Sequence, residues 1–168
     1  DLMREYPADR DLLLEVAELH QDYAYAIASS ESEAAGLKDY TKALDLHLRA
    51  GPVETLSFNE RLERLQMHLD VAGSLYDAED ADAAMRQYQR LEKQAEKCVQ
   101  LEEQSEFPEL AHASRSYVLQ AMSGRALCLL LQSKPNGALR VCEEAWTLTC
   151  RFLRLHPENQ ELLEFAET

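Results

Sequence analysis

Residues Ala72 to Leu91 read AGSLYDAEDADAAMRQYQRL. The stretch ends one apolar helical face, breaks at the acidic run from Asp77 to Asp80, and resumes as a second helical face. Its fixed points are small Ala72, small Ala84 twelve positions on, Tyr88 four later and Leu91 three after that. Ala24, Gly36, Tyr40 and Ala43 repeat the spacing one step upstream, and Ala126, Ala138, Cys142 and Ala145 repeat it one step downstream. A nearly constant internal step of roughly 50 residues is the signature of a stacked helical repeat. Such arrays present a surface to a partner more often than they build an active site.

Working outward, apolar residues at helical spacing predict about seven helices and no strand. The first runs from about Asp9 to Ser29, with Leu12, Leu13, Val16, Ala17, Leu19, Tyr23, Ala24 and Ile27 at helical spacing and Asp9 as its cap. The second covers Glu33 to Arg49 and stops at Gly51-Pro52. The third covers Asn59 to Tyr76 and the fourth Ala81 to Glu103, with Asp80 as cap. The fifth begins at Pro108 and reaches Gln132, and a sixth follows the turn Lys134-Pro135-Asn136-Gly137 and runs to Leu155. A seventh is expected over Glu158 to Glu167, because His156-Pro157-Glu158-Asn159-Gln160-Glu161-Leu162-Leu163 echoes Tyr6-Pro7-Ala8-Asp9-Arg10-Asp11-Leu12-Leu13. Short connections favour antiparallel packing of neighbours. The chain reads as one helical-repeat domain over 1–168, with repeats at about 9–50, 57–104, 108–155 and a partial one at 156–168. It starts on Asp1 and stops inside a helical pattern, which reads as a piece of a longer protein.

The three quartets resemble the tetratricopeptide repeat, in a long-repeat variant. That family pairs two antiparallel helices whose small residues allow close approach, with an aromatic of the second helix wedged between neighbours. The resemblance covers most of residues 9–155 and implies an all-α, right-handed α-solenoid. The step here exceeds the family's usual length of about 34 residues, with the extra length in the second helices and connections. Two departures stand out: Arg125 beside Ala126, and Cys142 in place of an aromatic.

Composition narrows the function. Of 168 residues, 31 are acidic and 17 basic, a net charge of −14 that repels nucleic-acid backbones and anionic membranes and favours solubility. No apolar run approaches a membrane span, no signal peptide opens the chain, and a cytoplasmic setting is expected. Cys98, Cys128, Cys142 and Cys150 follow no metal or redox spacing and read as buried free thiols. His20, His47, His68, His112 and His156 contain no i, i+4 metal pair, and His20 and His68 share a repeat position, which reads as structural. No nucleophile elbow or phosphate-binding loop is present. Carboxylate pairs such as Glu102-Glu103 read as a solvated helix end. The expectation is a non-enzyme with no cofactor or metal.

In the family, the first helix of each repeat lines a concave face. The resemblance therefore implies a partner strip of Gln21, Asp22 and Tyr25 with Glu18, of Gln66, Asp70 and Tyr76 with Leu69 and Gly73, and of Gln120 with Ser123 and Leu127. The Lys, Arg and Asn of the family's carboxylate clamp are absent from these positions, so an acidic, tyrosine-bearing wall points to a basic or amphipathic peptide or helix. Trp146 is expected to pack against the seventh helix. Leu155, Leu162, Leu163 and Phe165 at the C-terminal end are expected to be open to homodimerisation, because a solenoid needs a polar cap there. The expected role is an interaction or scaffold module. The alternative is a regulatory sensor controlling an attached catalytic domain such as a kinase.

Overall fold

The structure, a computed structural model, describes residues 9–155. Its regular elements are helical. They are α1 (Arg10–Ser30), α2 (Glu33–Arg49), α3 (Phe58–Asp77), α4 (Ala81–Glu103), α5 (Ala111–Leu131) and α6 (Pro135–Leu155), with short 3-10 turns at Val53–Thr55 and Pro108–Leu110. Six α-helices thus stand among the described residues, and the expected seventh lies outside them.

Local chemistry sets the starts. The carboxylate of Asp9 accepts from Leu12 N–H at 3.1 Å, and the hydroxyl of Ser32 from Ala35 N–H at 3.3 Å. Ser57 and Glu60 cap α3 reciprocally, with Ser57 N–H donating to the Glu60 carboxylate and Glu60 N–H to the Ser57 hydroxyl. Asp80 opens α4 by accepting from Ala83 N–H at 3.0 Å. Pro108 opens a 3-10 turn, so the fifth α-helix starts later than expected, at Ala111. Pro135 takes the first turn of α6 instead of a connecting turn, since its missing N–H costs nothing there.

Consecutive helices pack against one another, and α3 also packs against α5. One apolar cluster joins Leu13, Ala17 and Ala24 of α1 to Tyr40, Ala43 and Leu44 of α2, with Met67 and Val71 of α3. A larger one joins Leu65 and Ala72 of α3 to Ala84, Tyr88 and Leu91 of α4, Val118 and Ala126 of α5, and Ala138, Val141 and Ala145 of α6. Helix α3 belongs to both, so no apolar break divides the described chain.

The quartet residues meet where small size is needed. Ala24, Ala72, Ala84, Gly36 and Ala43 are buried. A Cβ at Gly36 would stand 2.9 Å from the Ala24 carbonyl oxygen and 2.8 Å from the Tyr40 ring. A Cβ at Gly124 would fall inside the ring of Tyr88. Tyr88 therefore wedges against α5, one helix beyond its own.

Several sequence expectations are corrected. Leu19 and Tyr23 lie on the outer side of α1, 67% and 60% exposed, because the buried stripe is the narrower Leu13–Ala17–Ala24 line. Cys142 is exposed, and Val141 takes the core position beside Ala138 and Ala145. Cys142 matches Tyr88, whose ring is covered by the following helix, and no described helix follows α6. The cysteines are free, but only Cys98 and Cys128 are buried, and Cys150 is half-buried. Burial pushes the thiols of Cys98 and Cys128 up to about 12 and about 11, which keeps them protonated. Trp146 is 55% exposed, and the helix expected to cover it lies outside the described residues. The same holds for Leu162, Leu163 and Phe165 and for the side chain of Leu155.

Candidate functional site

The expected partner strip runs over α1, α3 and α5. At its centre the amides of Gln21 and Gln66 both donate to Asp70, at 3.0 Å on Oδ2 and 2.7 Å on Oδ1. The Tyr117 hydroxyl donates to Gln66 Oε1 at 3.0 Å. Helical i, i+4 spacing brings Gln66 to Asp70; the other two links cross between helices. Burial raises the Asp70 carboxyl above its ordinary range, and the two amide hydrogen bonds pull the other way. Of the twelve residues expected in the strip, Gln21, Gln66 and Asp70 thus form one hydrogen-bonded polar chain.

Asp22, Tyr25, Tyr76 and Gln120 are placed separately. Asp22 is exposed on α1. Tyr25 is 46% exposed and sets its ring edge-on against Tyr40, with centroids 5.8 Å apart. The nearby Asp70 charge, with burial second, raises the Tyr25 phenol. Tyr76 is half-buried against the larger apolar cluster. Gln120 is half-buried on α5, outside the polar chain. At Gly73 a Cβ would meet no atom within 4 Å, so the strip is open there.

Sequence reasoning missed Tyr117. The signal was its distance in sequence. Arg10 to Glu60, Gln21 to Asp70 and Gln66 to Tyr117 are each separated by about one repeat step. A polar residue one step from another is a candidate contact between equivalent helices.

A buried polar network on α2, α3 and α4 was also missed. Arg64 is buried and donates to His47 Nδ1 at 3.2 Å and to the carbonyl oxygens of His47 and Gly51 at the end of α2. Gln87 of α4 shares a hydrogen bond with His68 Nδ1 at 2.7 Å. Desolvation, aided by the Arg64 charge, pushes His47 and His68 down to about 4 each. Both are therefore neutral near pH 7. The structural reading of His68 fits this packing, whereas His20 instead pairs with Asp39 at 2.9 Å on the α1–α2 surface. Glu102 is also fully buried, against Arg61 at 3.3 Å, and burial raises its carboxyl. It is not on a solvated helix end as its sequence position suggested: the last turn of α4 packs under α3 and α5.

Among the described residues no group of three or more His, Cys, Asp or Glu side chains could hold a metal ion. No described helix is long and apolar enough to cross a membrane. No known protein family, curated protein or solved structure matches this chain at a significant level.

Proposed function

We propose that the chain is a protein–protein interaction module that takes a basic or amphipathic helical segment on the strip formed by α1, α3 and α5. On this reading the six helices form three antiparallel pairs of a right-handed, tetratricopeptide-like solenoid, and the strip is its concave face. Two sets of contacts support the architecture. Gly36 approaches Ala24, and Asp39 approaches His20, so the start of α2 meets the end of α1. The contacts between α1, α3 and α5 fall one repeat step apart, as they must when equivalent helices lie side by side.

The observation that carries the binding reading is the exposed face of α1. Tyr25 is 46% exposed on the strip side, beside the exposed carboxylates of Glu18 and Asp22. An aromatic side chain left open among like charges suits a partner that brings both apolar and basic groups. The surplus of carboxylates over the whole chain adds long-range attraction for such a partner.

The probe is a fluorescent helical peptide with leucines on one face and lysines on the other, measured by anisotropy. Tyr25→Ala and Asp22→Lys are expected to weaken binding about tenfold each, the scale of an aromatic anchor or a reversed charge, and raising salt should weaken the native complex. Binding that neither substitution changes refutes the strip as the site.

A further inference from the structure

The repeat register places two inter-repeat gaps side by side for comparison. The first lies between α2 and α4, with α3 beneath. Arg64 and His68 rise from α3 into it, Arg64 bonding to His47 of α2 and His68 to Gln87 of α4. All four are buried, so polar side chains close this gap. The second gap lies between α4 and α6, with α5 beneath. Moving Arg64, His68 and Gln87 forward by the step from Ala72 to Ala126 gives Val118, Met122 and Val141, and moving His47 by the step from Ala43 to Leu91 gives Ala95. Each of the four bridging polar residues is thus replaced by an apolar one, and none of the replacements can reach across.

The second gap is correspondingly open. A groove of about 460 Å³ runs between α4 and α6, floored by Val118, Met122 and Leu148. That volume is in the range of sites that enclose a ligand group or an anchoring side chain. Methionine in the floor adapts to different apolar shapes. The rim is charged, with four carboxylates and two guanidinium groups lining the groove. Glu92 is already held by Arg125, and Glu144 lies 3.9 Å from Arg140. Glu96 and Glu143, on opposite walls, are exposed, and their carboxylates form no ion pair with another described residue.

We infer that this groove between α4 and α6 is a second docking site, separate from the α1–α3–α5 strip, for a partner segment that inserts an aliphatic side chain between two basic residues. The apolar floor takes the aliphatic group, and Glu96 and Glu143 take the flanking charges. The equivalent floor between α2 and α4 is closed by the buried Arg64, whereas here the guanidinium groups of Arg140 and Arg151 stand at the rim and are outnumbered by the four carboxylates.

The test uses a short acetylated and amidated peptide, Lys-Leu-Lys flanked by serines, and a control in which Ser replaces Leu. Methyl-detected NMR titration of the whole chain is expected to shift the Met122, Val118 and Leu148 methyls with the leucine peptide and not with the control. Thr147→Trp, at an exposed position on the groove wall, should block the groove and weaken binding about tenfold, and Glu96→Lys with Glu143→Lys should do the same. The Thr147→Trp variant leaves the core untouched, so loss of binding is not loss of fold, and an unchanged far-UV spectrum checks this. Shifts confined to α1 and to Gln66 and Tyr117, binding that Thr147→Trp leaves intact, or absence of binding each overturn the second site. The first two outcomes leave the strip reading standing.

Discussion

At the residue scale, two glycines in helix interiors test opposite physics. Gly124 exists to admit the Tyr88 ring, and a methyl group there would occupy the ring's own volume. Gly124→Ala should therefore destabilise the fold by about 1–3 kcal/mol, the usual cost of overpacking a tight contact. Gly73 faces open space on the candidate strip. Gly73→Ala should stabilise by about 0.5–1 kcal/mol, since it removes backbone entropy from the unfolded chain and meets no obstacle. Urea melts of both variants measure the signs. If Gly124→Ala proved neutral, the Tyr88 wedge would be wrong, and a destabilising Gly73→Ala would mean the strip is packed.

At the element scale, α3 and α5 end alike. In α3, Asp80 N–H bonds to the Leu75 carbonyl and Glu79 N–H to that of Tyr76. In α5, Lys134 N–H bonds to the Leu129 carbonyl and Ser133 N–H to that of Leu130. This doubled pattern closes a helix with a left-handed residue. Glu79 and Ser133 hold that conformation, with φ of 59° and 57°, although each carries a Cβ. Glu79→Gly and Ser133→Gly should each raise stability by about 0.5–1 kcal/mol by removing that strain. A fall in the thermal midpoint of either variant would refute the cap geometry. Glu79 and Ser133 are separated by the same step as Ala72 and Ala126, so the repeat extends to how its helices stop.

At the scale of the whole molecule, the α2–α3–α4 network ties stability to pH. His47 and His68 are depressed in the folded state to about 4 and return to about 6.5 when the chain unfolds. Unfolded chains therefore bind more protons below pH 6.5, and stability is lost as pH falls toward 4. At His47 a backbone hydrogen bond and the Glu60 charge offset this only in part. The raised carboxyls of Asp70 and Glu102 act in the opposite sense, favouring the fold as they protonate at lower pH. The loss is thus expected as pH falls from about 6.5 toward 4, reduced by what the raised carboxyls contribute. Urea midpoints measured from pH 8 to 4 should fall across that window, and His68→Gln should flatten the fall. A midpoint independent of pH would mean that both imidazoles are solvated.

The helices were legible in the sequence, because capping side chains, helical apolar spacing and turn residues act within a few positions of each other. Asp9, Ser32, Ser57 and Asp80 open helices whose ends fall close to those expected. The small-residue register was legible too: Ala24, Gly36, Ala72 and Ala84 are buried because backbones approach there. What crosses between helices was not. Arg64 and Glu102 look like surface residues until neighbouring helices close around them, since burial depends on which helix arrives from elsewhere in the chain. The strip expected for a partner proved partly self-satisfied for the same reason, Gln21 reaching Asp70 only across α1 and α3. The open groove between α4 and α6 likewise follows from tertiary packing, where Val118 and Met122 stand in a gap that Arg64 and His68 fill one repeat earlier. Sequence alone determined the helical elements, through interactions a few positions long. Tertiary structure alone decided which polar groups are spent on each other and which gap is left open.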